Sequence, residues 1–174
     1  YQKIHRPKSI PDIVQAKNRL VFEPLYDFAA EIEGKNRGEM TVSPYVIRNL
    51  ERTNQFLSSL PYTLTEDQQS TLNAIIQTAK DGKRISALIQ GDVGCGKTII
   101  AFICMMAMAD SGYQSVLMAP TTILAEQHYK ELSVYCDQLG FKAAYFAGNM
   151  KAAEKRKLLK GISEGEYDFV VGTQ

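Results

Sequence analysis

From Glu66 onward the chain alternates two kinds of apolar pattern. Ser86–Gln90, Ser115–Ala119, Ala143–Phe146 and Phe169–Val171 are short apolar runs bounded by Gly, Pro or charged residues, the pattern of buried strands. Between them, residues 97–110, 123–138 and 150–162 repeat at helical spacing, and a helix over 66–80 precedes the first strand and stops at Asp81-Gly82. Strands and helices joined by short turns predict right-handed βαβ crossovers and a parallel, three-layer α/β sheet. The stretch Ile99–Ala109 is apolar nearly all round, so that helix is expected to lie deep against the sheet.

The pattern upstream is different. Pro7 and Pro11 bracket a loop, and Asp12 is placed to cap a helix beginning near Ile13. Ile13, Ala16, Leu20, Val21, Leu25, Phe28, Ala29 and Ile32 then recur on one helical face. Pro24 falls inside that face and predicts a kink or a break. Residues 33–40, EGKNRGEM, read as a polar loop. Ser43-Pro44 reads as an N-cap with proline at the first helical position, opening a helix toward Leu57. The chain therefore divides at about Leu60-Pro61, with residues 1–60 a helical brace or linker and residues 61–174 an α/β region.

Composition changes this picture little. The 174 residues are 45% hydrophobic and 22% charged with a net charge of +1, values of an ordinary globular protein. No global excess of charge points to nucleic acid or a membrane surface. Cys95, Cys104 and Cys136 have neither C-x-x-C nor metal-ligand spacing, which fits a reducing cytoplasmic setting better than a disulfide framework or a zinc site. The most apolar run is too short to span a bilayer, so no membrane is expected as partner. A start without Met and a finish on VVGTQ lead us to expect a fragment of a longer chain.

The chemistry concentrates in one loop. Gly91-Asp92-Val93-Gly94-Cys95-Gly96-Lys97-Thr98 fits G-x-x-x-x-G-K-[ST], with an apolar run leading in and a helix leading out. Its glycines let successive N–H groups turn inward on a phosphate, and the helix N-terminus adds its positive dipole end. Lys97 is placed to reach the β- and γ-phosphates of ATP, and the Thr98 hydroxyl to join the shell of Mg²⁺. These two are the expected catalytic side chains. A Gly-rich turn joining strand to helix would account for the glycines but not for Lys-Thr at the helix start.

Four stretches, LTEDQ (64–68), IQGDVGCGKT (89–98), LMAPTTILAEQHY (117–129) and FVVGTQ (169–174), resemble in order and spacing the motor motifs of superfamily 2 helicases. IHRP (4–7) and AKNRLVFEPL (16–25) resemble the helical link of the RecG family of branched-DNA helicases. The motor motifs occur also in the transcription-repair coupling translocases; the link segment favours the RecG family. Two positions depart from the family pattern. Pro24 interrupts a helix, and Gln174 stands where His usually follows Gly-Thr.

The resemblance implies a RecA-like motor lobe of the phosphate-loop NTPase class, incomplete here. Residues 1–60 would link a wedge domain to the motor, and residues 61–174 would form the N-terminal part of its first lobe. The implied activity is ATP-dependent helicase or translocase action on forks and Holliday junctions in recombination and repair. The implied setting is a bacterial cytoplasm and its nucleoid. The implied partners are branched DNA, the wedge domain and a second lobe. It gives Gln68 an adenine contact, although Thr65-Glu66-Asp67-Gln68 is also a capping box. It gives Thr121, Thr122, Gly172, Thr173 and Gly148 contacts to DNA, although one threonine could serve only as an N-cap.

The run KAAEKRKLLK (151–160) could meet a phosphate backbone or simply be solvated, and His128 has no ligand-spaced partner. The Asp-Glu pair such motors need for hydrolysis does not follow any of these strands, so an isolated fragment is expected to be inactive. A small-molecule kinase and a non-catalytic nucleotide-binding module are the rival classes.

Overall fold

The computed structural model describes residues 8–36, 42–148 and 150–173. IHRP and Gln174 lie outside them, as do residues 37–40 of the expected polar loop. The chain forms two compact units, residues 1–41 and 42–174.

The first unit contains helix α1 (Ile10–Asn36). It begins three residues before Ile13, with Asp12 in its first turn, where an acid suits the helix dipole, and not as its cap. Against expectation it runs on through Pro24 and through residues 33–36. Proline removes one N–H from the ladder, and residues 21–30 are exposed, so water can take up the freed bonding. Val21, Phe22, Leu25, Tyr26 and Phe28 are exposed on it, Phe22 and Tyr26 stacking with ring centroids 5.7 Å apart.

The second unit contains α2 (Glu51–Ser59), α3 (Glu66–Lys80), α4 (Lys97–Asp110), β1 (Ser115–Met118), α5 (Thr122–Leu139), β2 (Ala143–Phe146), α6 (Ala152–Ser163) and β3 (Phe169–Gly172). The sheet is parallel in the order β1-β3-β2, with Met118, Gly172 and Phe146 in register at its C-terminal end. The crossover from β1 to β2 passes over β3, and that from β2 to β3 returns. Right-handed connections travelling in opposite directions put α5 and α6 on opposite faces, the expected three layers. β3 is central and buried along its whole length. Asp168 ties the strand starts together: its carboxylate accepts from the Lys142 N–H at 2.7 Å and its carbonyl from the Ser115 N–H at 2.9 Å.

Residues 86–90 were expected to form a strand, yet they join no ladder among the described residues, and Leu88 is 87% exposed. Apolar periodicity states which side chains favour burial. A strand also needs a neighbouring edge to complete its hydrogen bonds, which no local pattern supplies.

The core is built on α4. Ile100, Phe102, Ile103 and Met106 are almost fully buried, and the helix packs against α2, α3 and β1. Each such side chain contributes about 1.5–3 kcal/mol by burial. Its last residue does a second job. The Asp110 carboxylate, its side chain 1% exposed, accepts from the Thr53 N–H at 2.7 Å, the Thr53 hydroxyl at 2.8 Å and Arg52 Nε at 2.9 Å. Thr53 is the third residue of α2, whose own N-cap position, Leu50, offers no side-chain oxygen. An acid at the end of one helix thus caps the start of another.

The same region explains why no helix starts at Ser43-Pro44. Ser43 Oγ accepts from the Tyr45 N–H at 3.2 Å as a local turn, and Ile47 is buried against Ala79 and Ala107. The N–H groups of Arg48 and Asn49 donate to Ser111 Oγ at 2.9 and 3.3 Å, so they serve a tertiary contact in place of a helical ladder. Helix α2 starts only at Glu51, whose N–H donates to Asn49 Oδ1 at 3.0 Å.

Asp110→Ala leaves a buried N–H and hydroxyl of Thr53 unsatisfied and should cost about 2–3 kcal/mol in urea unfolding. Asp110→Asn keeps an acceptor and should lose less; equal losses would show that the cap is not what Asp110 contributes.

Candidate functional site

The phosphate loop joins residues 84–90 to helix α4. Gly94 and Gly96 take φ of +83° and +80°, a region that side chains with a Cβ rarely adopt. Gly96 is the N-cap of α4 and provides no side-chain oxygen, so the first N–H groups of the helix have no side-chain partner. The Ile99 N–H bonds back to Gly96 O at 3.2 Å. Gly91 to Cys95 are exposed, Val93 completely so, while Lys97 and Thr98 are half-buried at the start of the helix.

Lys97 folds back over its own loop. Its ammonium donates to Gly91 O at 2.8 Å and Asp92 O at 2.6 Å and lies 3.6 Å from Cys95 Sγ. The cation therefore sits over the ring of backbone that forms the cradle, where a phosphate oxygen would be the stronger partner, since charge-assisted bonds are roughly twice as strong as neutral ones. The residues fit a nucleoside triphosphate with Mg²⁺: a glycine-lined loop, uncapped helix N–H groups, one ammonium and the Thr98 hydroxyl beside it.

Gln68 is drawn into the same loop from helix α3. The capping box is formed: Thr65 Oγ1 accepts from the Gln68 N–H at 3.3 Å, and Gln68 Oε1 accepts from the Thr65 N–H at 2.9 Å. Its Nε2 donates to Cys95 O at 2.8 Å. The two readings of Gln68 are compatible. A primary amide has two donors and two acceptor sites, so one of each stays available for a base edge. A Cβ on Gly96 would stand 2.5 Å from Gln68 Nε2, so the glycine also makes room for this contact.

A second group of residues meets at the C-terminal edge of the sheet, where α/β folds bind ligands. Met118, Ala119, Pro120, Thr121, Thr122 and Thr173 line an open groove there. Thr121 is the N-cap of α5, its Oγ1 accepting from the Leu124 N–H at 3.3 Å. Thr122 is exposed, and its carbonyl accepts from the Tyr145 hydroxyl at 3.3 Å. The structure thus brings Thr121, Thr122 and Thr173 together. Gly148 lies in the loop after β2, exposed, with no atom within 4 Å of where its Cβ would be. Gly172 has a structural reason of its own: a Cβ there would meet Phe146 O of β2 at 2.5 Å.

The cysteines separate by environment. Burial pushes the Cys104 thiol up to about 11 and that of Cys136 up to about 12, while Cys95 is exposed in the loop. Among the described residues no three His, Cys, Asp or Glu side chains cluster to hold a metal, and His128 keeps a buried Nδ1 without a hydrogen-bond partner. No described helix is long and apolar enough to cross a membrane.

The chain is similar to known proteins along nearly all its length. Residues 65–174 match the DEAD/DEAH box helicase family. The ATP-dependent DNA helicase RecG of Streptococcus pneumoniae is 38% identical over 172 residues, 98% of this chain and 25% of the relative. The RecG protein of Staphylococcus aureus is 37% identical over 173 residues, again 98% of this chain and 25% of the relative. The chain thus spans about a quarter of the length of these relatives. Among solved structures, a hypothetical ATP-dependent RNA helicase from Sulfolobus tokodaii superposes with a TM-score of 0.53 at 21% identity, covering 71% of this chain and 33% of that one. The DUF1998 helicase MrfA bound to DNA gives a TM-score of 0.53 at 21% identity, covering 83% and 22%. These two show the RecA-like helicase fold. With its phosphate loop, capping-box glutamine and edge threonines inside the matched residues, the chain belongs to the DEAD/DEAH box helicase family.

Proposed function

We propose that this chain is the nucleotide-binding part of an ATP-driven DNA helicase or translocase acting on branched DNA, such as stalled forks and Holliday junctions, in recombination and repair. The observation that carries the reading is that one frame supports two sites: the phosphate loop opens α4, and the threonine groove lies at the C-terminal edge of the sheet on which α4 packs. Similarity to an ATP-dependent DNA helicase, RecG, over 98% of the chain supports DNA as substrate. Residues 1–60 then act as the link to a DNA-splitting wedge domain, and a second lobe closes on the nucleotide. A bacterial cytoplasm, with the protein on the nucleoid, fits this activity.

In this reading Lys97 exchanges its two carbonyl partners for the β- and γ-phosphates of ATP, and the helix N–H groups and loop glycines complete the cradle. Thr98 would hold Mg²⁺ through its hydroxyl, and the ion would supply neutralisation of phosphate charge. Gln68 offers its remaining N–H and acceptor site to the adenine edge. Because Gln68 also holds Cys95 O, a base contact and the loop's shape are coupled through one amide. Thr121, Thr122 and Thr173 bind phosphodiester oxygens through hydroxyl and backbone groups, and Gly172 and Gly148 let that backbone approach. Water attack needs a carboxylate and usually an arginine. Asp110 is engaged as a helix cap and Asp168 as a strand tie, so we expect this chain alone to bind Mg·ATP without motor-rate turnover.

The deciding experiment is ATP turnover by the intact polypeptide containing this chain, without DNA, with linear duplex and with three- or four-way junctions. Junctions should stimulate most. Stimulation by linear duplex without preference for junctions would point to a transcription-repair coupling translocase, and no response to DNA would end the helicase reading. Lys97→Ala should reduce turnover by about 10²-fold or more with the fold intact; full turnover would remove Lys97 from the site. Gln68→Glu keeps the acceptor of the capping box but loses the donor, so it should raise the KM for ATP about tenfold at near-unchanged stability. Iodoacetamide at pH 8 should label Cys95 alone of the three cysteines in the native chain, and Mg·ATP should slow that labelling. Labelling indifferent to Mg·ATP would place the nucleotide elsewhere.

A further inference from the structure

Helix α6 carries four basic side chains, Lys155, Arg156, Lys157 and Lys160, with Lys151 at its N-cap and one acid, Glu154, in its first turn. All five basic residues are exposed. Among the described residues only Lys160 has an ion-pair partner, Glu164 at 3.7 Å. The five do not share a face. At 100° per residue, Lys151 and Lys155 lie about 40° apart, Arg156 and Lys160 form a second pair on a different side, and Lys157 stands apart from both.

The first pair is the one that the fold ties to the end of β2, at the sheet edge used by the threonines. In a parallel sheet every strand ends on the same side, and Met118, Gly172 and Phe146 mark that end in register. The loop after Phe146 therefore opens on the same edge as Pro120-Thr121 and Thr173, and it delivers Lys151 as the N-cap of α6 without a side-chain cap of its own. One turn on, the Lys155 ammonium lies 5.1 Å from the centre of the Phe146 ring, which holds it against the last residue of β2. Phe146 in turn pairs with Gly172, the residue before Thr173. From β1 across β3 to β2 is two strand spacings, roughly 10 Å, and three nucleotides of one strand rise about as far at ~3.4 Å each.

Resting on the DNA-motor reading above, we propose that Lys151 and Lys155 bind the phosphodiester backbone of the same DNA strand as Thr121, Thr122 and Thr173, extending its track across the sheet edge in the order β1, β3, β2. Two ammonium groups continuing a row of hydroxyls and open backbone, with open space where a Cβ of Gly148 would stand, suit a repeating anion read without regard to sequence. Arg156, Lys157 and Lys160 lie off the track and remain solvated.

The test compares two double variants of equal charge change in the intact polypeptide, Lys151→Ala/Lys155→Ala and Arg156→Ala/Lys160→Ala. DNA affinity is measured by fluorescence anisotropy over a series of salt concentrations, together with DNA-free ATP turnover. The first variant should weaken binding roughly tenfold and flatten the slope of log K against log salt by about 1.4–1.8, the share of two phosphate contacts. The second should change affinity less than about twofold, and both should keep DNA-free turnover. Equal losses in the two variants would reduce α6 to a general electrostatic background and overturn the track. No loss in either would overturn it too, as would a defect confined to binding of an acidic protein segment. Wild-type protein that binds no DNA would instead overturn the underlying motor reading.

Discussion

Burial of helix α4 is the constraint on which the rest of the lobe depends. Its apolar surface is covered by α2, α3 and β1, so both of its ends are held where that packing puts them. At the first end the chain must turn into the helix through Gly94 and Gly96, which leaves the first helix N–H groups without a side-chain cap and sets Lys97 and Thr98 at the mouth of the turn. At the second end Asp110 is carried under the start of α2 and supplies the cap that α2 lacks. A single buried helix thus joins the chemistry of one site to the docking of the segment in front of it.

The loop is also held from the side. Gln68 closes its own capping box and bonds to Cys95 O, while Lys97 bonds to Gly91 O and Asp92 O. These are partners a nucleotide would compete for or share, and they are individually weak against a charged phosphate. The arrangement satisfies the loop's polar groups without filling its cradle. It also ties Gln68 to the shape of the loop, because displacing its amide would release a backbone carbonyl of the loop itself.

The threonine edge depends on a different constraint, the close approach of β3 to β2. Gly172 has no room for a Cβ against Phe146 O, so Thr173 emerges directly beside the end of β2 and opposite Thr121. Three segments far apart in sequence reach one edge because the strands are parallel and end together. The polar groups at that edge are half-buried or exposed, and helix and strand termini leave backbone donors there.

Much of this was legible in the residues alone. Strong periodicity predicted α3, α4, α5 and α6 and the three paired strands to within a few residues, because those segments bury the face that their own pattern marks. The glycine-rich turn into α4 was legible for a similar reason: its glycines, Lys97 and Thr98 lie within eight consecutive residues. What local pattern could not supply was the partner. Residues 86–90 look like a strand but find no edge, residues 43–50 look like a helix start but Arg48 and Asn49 give their N–H groups to Ser111, and Pro24 sits in a helix that continues around it. Asp110 caps Thr53 from 57 positions away, and Lys155 reaches Phe146 across a loop and a helix turn. Sequence determined most of the segments that fold and the glycine-rich loop that opens α4; tertiary structure decided which hydrogen bonds are completed and which side chains share an edge, because both depend on atoms that only folding brings within reach.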